Sequence, residues 1–156
     1  MAQGVAVFFD IGDTLASPVV DGGHLAGLTV YPLVPEVLAR LRAARGPHGA
    51  RVALGLASNT GTETAATLRG VLEAAGLAAL VDDELCLFSS VEGLDKSQPA
   101  FFALAAQRAG LPAARCVYVG ESEAERAVAA EAGLVVSPHP LHALHLVADQ
   151  FSVTID

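Results

Sequence analysis

Val5-Ala6-Val7-Phe8-Phe9-Asp10-Ile11-Gly12-Asp13-Thr14 begins with five consecutive apolar residues and runs straight into acids. Unbroken rather than alternating hydrophobicity marks a strand covered on both faces, the pattern of a parallel sheet wrapped by helices. The acid that ends such a strand falls at the carboxyl edge of the sheet, where open α/β sheets bind their ligands.

The same unit recurs along the chain. Residues 51–57, 84–88, 115–119 and 134–136 read as further strands. The segments between and after them carry helical spacing: 62–75, with Thr62 as cap and Gly76 as stop, 97–109 before Gly110, 123–132 before Gly133, and 141–148. Pro35 opens the first helix, whose Val37, Leu38 and Leu41 share one face. Residues 12–35, rich in Gly and Pro, read as a connection. Regular alternation of strand and helix predicts an α/β fold, a three-layer, doubly wound parallel sheet, in one domain over residues 1–156.

Composition narrows the class. The chain is 53% hydrophobic and 17% charged, enough apolar material to bury a core and too much for disorder. Aromatics make up 5% and Trp is absent, so Ala, Val and Leu must fill that core. The net charge of −8 repels phosphate backbones and argues against a nucleic-acid partner. It attracts divalent cations, and a bound cation in turn admits a small anion. Cys86 and Cys116 lie inside apolar runs without C-x-x-C spacing, so they read as buried, reduced thiols. No basic leader precedes an apolar run and no apolar stretch is long enough to span a bilayer. The expectation is a cytoplasmic protein with no membrane partner.

The polar residues fall at strand ends. Asp10 and Asp13 follow the first strand, Ser58, Asn59 and Thr60 the second, and Glu121, Ser122, Glu123 and Glu125 the strand at 115–119. Lys96 precedes the third helix. If the strands are parallel, one rim gathers carboxylates, a hydroxyl and an ammonium. Oxygen donors suit a hard cation such as Mg²⁺, and the ammonium and hydroxyl suit a phosphoryl group beside it.

Taken together, VAVFFDIGDTL, Ser58 after VALGLA, Lys96 in DKSQPAFFALAAQRAGL, and VYVGESEAERAVAAEAGL resemble the four motifs of the haloacid dehalogenase superfamily. The resemblance covers roughly residues 5–136. It implies a magnesium-dependent phosphatase-like hydrolase in which Asp10 attacks phosphorus and forms an aspartyl-phosphate. Ser58 and Asn59 would bind the phosphoryl group, and Lys96 would neutralise charge on nucleophile and phosphate. Asp10, the Gly12 carbonyl, Glu121 and Glu125 would hold Mg²⁺. Two positions depart from the family pattern. The second Asp, general acid and base in family phosphatases, is replaced by Gly12, with Asp13 one residue further on. The usual Asp of the fourth motif is Glu121.

Larger family members insert a cap after the first motif or between the second and third. Residues 14–58 and 58–96 leave little room for one, so the resemblance implies a domain without a sizeable cap. Its open rim would take a small or bulky phosphorylated substrate, or be closed by a second copy in a homo-oligomer. Three rival readings share parts of this site. A degenerate binding or scaffold module fits the Gly12 and Glu121 departures. A receiver domain expects its phosphorylated Asp on a later strand. Dehalogenase chemistry uses the same nucleophile without metal but needs a cap to exclude water. His139, His142 and His145 read as a solvated helix face, and His24 as a loop residue.

Overall fold

A computed structural model describes residues 4–156. Five strands form one parallel sheet in the order β5-β4-β1-β6-β7: β1 (Val5–Phe9), β4 (Val52–Ser58), β5 (Cys86–Phe88), β6 (Cys116–Val119) and β7 (Val135–Ser137). The helices are α1 (Val34–Ala43), α2 (Ala65–Ala74), α3 (Ser89–Glu92), α4 (Pro99–Ala109), α5 (Glu123–Glu131) and α6 (Pro140–Phe151). The expected three-layer, doubly wound α/β architecture is therefore what forms.

Strand periodicity sorts the core into two layers. Val5, Val7 and Phe9 of β1, Val52, Leu54 and Leu56 of β4, and Val117 and Val119 of β6 face one side, against α1, α2 and α6. Ala6, Phe8, Ala57, Cys116 and Tyr118 face the other, against Phe101, Phe102 and Ala105 of α4 and Ala129 of α5. Both faces of each central strand are covered, which is why β1 reads as an unbroken apolar run. The chain builds β4 and β5 to one side of β1, then β6 and β7 to the other. The reversal puts a crevice beyond the carboxyl ends of β1 and β6.

The 12–35 connection is structured, contrary to the sequence reading. It holds an antiparallel hairpin, β2 (Ala16–Asp21) and β3 (His24–Val30). Gly22 and Gly23 turn it with φ of +58° and +80°, values that only Gly adopts freely. Most of β2 is exposed, so its residues lack the apolar run or clean alternation by which the core strands announce themselves. Leu25, Leu28 and Val30 of β3 lean on the main core.

Other boundaries shift for local reasons. Thr64, not Thr62, caps α2, its Oγ1 accepting from Thr67 N at 3.2 Å. Residues 83–85 form a single 3-10 turn, leaving Cys86–Phe88 as the strand. The last helix runs on to Phe151, because Ala143, Leu144, Val147 and Phe151 continue one buried stripe. His142 and His145 lie on its exposed side as expected, and His139 is its cap, with Nδ1 accepting from Leu141 N. Among the described residues no helix is long and apolar enough to cross a membrane.

Both thiols are free. Each donates to the carbonyl four residues earlier, Cys86 to Asp82 and Cys116 to Pro112, both at 3.6 Å. Burial pushes Cys86 up to about 12 and Cys116 to about 11. A raised folded pKa means the thiolate is scarce in the native state at any pH below that value. Cys116 is buried, but Cys86 is only partly so, short of the two buried thiols expected. Native protein at pH 8 should therefore react slowly with an aromatic disulfide reagent, Cys116 more slowly than Cys86, with both thiols released in guanidinium. Fast stoichiometric labelling of the native chain would contradict the burial.

Gly55 marks the tightest place in the sheet. A Cβ there would collide with the Leu85 carbonyl oxygen, lie 2.7 Å from Leu85 Cβ and 3.0 Å from Phe8 Cδ1. Because two of these atoms sit on or next to backbone, the strand itself must move. Gly55→Ala should cost at least about 1–3 kcal/mol in urea unfolding, the usual range for overpacking.

Candidate active site

Asp10 leaves the end of β1 with its backbone N–H on Val119 O at 2.8 Å, so the first loop is tied to β6 from its first residue. The chain then coils tightly. Ile11 O accepts from the N–H groups of Thr14, Leu15 and Ala16 at 3.2, 2.9 and 3.1 Å, and Asp13 takes φ of +63°. This turn brings Thr14 back over the nucleophile position. Buried Thr14 Oγ1 donates to Asp10 Oδ2 at 3.3 Å and accepts from Glu121 N at 3.2 Å. One hydroxyl thus joins the loop after β1 to the loop after β6.

Lys96 is 2% exposed and Asp10 7%. Lys96 Nζ donates to Asp10 Oδ1 at 2.7 Å, lies 3.1 Å from Glu125 Oε1, and donates to the Tyr118 hydroxyl at 3.3 Å. Its three protons therefore have three acceptors. Tyr118 in turn donates to Glu125 Oε1 at 3.1 Å. Two carboxylates share one ammonium, so the cluster is negative overall. Burial holds Asp10 above its ordinary carboxylate range, opposed by the Lys96 charge and its hydrogen bond and reinforced by Glu125. Burial, then the negative charges of Asp10 and Glu125, also push the Tyr118 phenol up, so it stays a donor.

Ser58 closes β4 two residues beyond Leu56, the register partner of Phe9. Asn59 Oδ1 accepts from Lys96 N at 3.0 Å, so it fixes the lysine's backbone. Thr60 is anchored from the far side: its N–H donates to Ser89 Oγ at 2.8 Å, and its Oγ1 is 2.6 Å from Ser90 Oγ. The loops bearing Asp10, Ser58 and Glu121 meet at one edge of the sheet, with Lys96 Nζ reaching into it.

The candidate metal ligands are less closely assembled. Glu121 carries an exposed side chain, and Glu125 Oε1 is turned back onto Lys96 and Tyr118. Among the described residues no group of three or more His, Cys, Asp or Glu is arranged to hold a metal ion. The donor chemistry nevertheless fits Mg²⁺, which binds through one or two carboxylates and keeps several waters. Gly12 is half-buried beside Asp10, and a Cβ added to it would meet nothing within 4 Å. Asp13 is exposed at its turn and forms no hydrogen bond to the cluster among the described residues.

A parallel sheet carrying a lysine-paired Asp at the end of its first strand defines an α/β domain with a charged rim, and sequence comparison narrows that class. Residues 19–133 match the model of the haloacid dehalogenase-like hydrolases, and the chain belongs to that family. No curated protein sequence matches it significantly. Among solved structures it is similar to an uncharacterized protein from Listeria monocytogenes serotype 4b, with TM-score 0.68 and 19% identity over 85% of this chain and 76% of the other. A HAD-superfamily hydrolase of subfamily IA from Geobacter sulfurreducens gives 0.67 and 15% over 93% and 100%. The L-2-haloacid dehalogenase from Xanthobacter autotrophicus gives 0.65 and 16% over 86% and 76%. Identities this low speak to the fold alone.

Tyr118 is the cluster member that the sequence reading missed. Its signal was a hydroxyl inside the apolar run CVYV, a polar group that burial obliges to find a partner. The space it fills explains Gly120: a Cβ there would lie 2.5 Å from the Tyr118 hydroxyl and 2.7 Å from Cζ. Tyr118→Phe should cost about 1–3 kcal/mol, since it strips a hydrogen bond from two charged partners. Gly120→Ala should also destabilise, and the double variant should lose less than the sum of the two in urea unfolding, because both act on one contact. Strict additivity would separate Gly120 from the tyrosine.

Proposed function

We propose that the chain is a magnesium-dependent phosphatase-like hydrolase of phosphate monoesters, a single domain without a sizeable cap, working in the cytoplasm. The observation that carries this reading is the buried Lys96–Asp10 pair at 2.7 Å, at the carboxyl edge of the first strand. The Lys96 charge opposes the upward pull of burial on Asp10, and an ionised carboxylate is what attack on phosphorus requires. The Ser58 hydroxyl and the Asn59 amide N–H groups bind the phosphoryl oxygens. Asp10 forms a bond to phosphorus as the ester P–O bond breaks and the alcohol leaves. Water then attacks the phosphorus, releasing phosphate and restoring Asp10.

Asp10, the Gly12 carbonyl and Glu121, with Glu125 behind them, would hold Mg²⁺, whose positive charge would let a phosphate dianion approach these carboxylates. Thr14 keeps Glu121 and Asp10 in register for that task. Asp13 is the residue proposed to protonate the leaving alcohol and then activate water, reaching the site by motion of its exposed turn.

A degenerate binding module is the second reading, favoured by one observation: the acid position holds Gly12, and the nearest alternative acid faces solvent. Phosphate release from an aryl phosphate, with and without Mg²⁺, separates the two. Wild type should turn over slowly and only with Mg²⁺, and Asp10→Asn should fall to background. Asp13→Asn should lose about 10²–10⁴ in kcat if it carries the proton. Gly12→Asp should raise the rate, because the new side chain has room. Inactivity of wild type and Gly12→Asp over a broad panel of phosphate esters would favour the degenerate module. Release of halide from a 2-haloacid without metal would favour dehalogenation.

A further inference from the structure

The hairpin that the sequence did not announce forms one wall of a cleft of about 210 Å³ at the active-site rim. Pro18, Leu25 and Leu28 from the hairpin face Gly12 and Ser58, and Glu63 lines the same space. That volume is below the roughly 300–1,000 Å³ of ordinary ligand pockets, so it suits a small group. Its polar lining is of two kinds. Ser58 and Asn59 offer hydroxyl and amide donors. Glu63, only 15% exposed at its side chain, offers a carboxylate.

Glu63 is positioned rather than loose. Its Oε1 accepts from Leu25 N at 2.9 Å, which pins the hairpin to the loop between β4 and α2. His24 Nδ1, on a largely exposed side chain, lies 3.7 Å from the same oxygen. Among the described residues no Lys or Arg forms an ion pair with Glu63. A half-buried carboxylate with apolar neighbours, and only the exposed His24 imidazole within ion-pair distance, is a place where a ligand cation gains more than it would in water. The net charge of −8 acts in the same sense, against anionic leaving groups.

We infer that this cleft is the leaving-group subsite and that Glu63 selects small phosphate esters whose alcohol carries an ammonium group. The inference rests on the phosphomonoesterase reading and adds the substrate class to it. Apolar contacts with Leu25 and Leu28 hold the short carbon chain, and the ammonium donates to the Glu63 carboxylate.

Two near-isosteric esters provide the test: 2-aminoethyl phosphate and 2-hydroxyethyl phosphate, on the full chain with Mg²⁺. Wild type should prefer the amine by about 10-fold or more in kcat/KM, the size expected of a hydrogen bond between charged groups. Glu63→Gln keeps an acceptor for Leu25 N–H and removes the charge, so the ratio should collapse towards one. The same pair is then titrated calorimetrically onto Asp10→Asn, where turnover is not needed. Absence of hydrolysis with a retained, Glu63-dependent binding preference for the amine would sink the phosphatase reading and leave the subsite standing. Equal treatment of the two esters, a preference that survives Glu63→Gln, or no binding of either would overturn the subsite.

Discussion

A lysine ammonium held out of water must find acceptors for all its protons, and Lys96 finds them in Asp10, Glu125 and Tyr118. Each acceptor comes from a different element: the end of β1, the first turn of α5, and the interior of β6. The cluster therefore works as a three-way joint between the strands on either side of the topological reversal. Removing one partner of such a buried pair typically costs about 3–5 kcal/mol, because the survivor is left uncompensated. The same geometry creates a surplus negative charge, since two carboxylates share a single ammonium. That surplus opposes unaided approach of an anion and favours approach of a cation.

Register carries the joint. Phe9 aligns with Leu56 and with Val119, so Asp10 just beyond β1, Ser58 at the last position of β4, and Gly120 with Glu121 just beyond β6 arrive at the same edge. A slip of one residue in any strand would send its polar end to the other face and its apolar residues with it. The packing layers under the sheet, built on alternate residues of the same strands, make such a slip costly. Thr14 adds the finer adjustment by holding Asp10 and Glu121 to one hydroxyl.

Much of this was legible in the sequence because burial writes strong patterns. The continuous run Val5–Phe9, the Gly stops after α4 and α5, and the acids at strand ends each follow from a single local rule. The hairpin was not legible because its strands are exposed and carry no core signal; only the Gly22-Gly23 pair announced a tight turn. The start of α2 lies two residues beyond the expected Thr62, because it is Thr64 whose side chain accepts from the helix N–H of Thr67. Asp10 and Lys96 form the ion pair that their positions suggested. Their third partner, Tyr118, was hidden inside an apolar run, and Glu63 is visible only once the hairpin is seen to fold back on it. Glu125 Oε1 is engaged by the lysine and the tyrosine, a long-range contact that spacing alone does not encode.

Every step of the proposed hydrolysis depends on Asp10 acting as a covalent nucleophile. Acid-quenched digests of the chain mixed briefly with an aryl phosphate and Mg²⁺ test this directly by mass spectrometry. One phosphoryl group should appear on the peptide that contains Asp10, be lost on treatment with hydroxylamine, and be absent from Asp10→Asn. Turnover without any label on that peptide, or turnover that persists in Asp10→Asn, would contradict it.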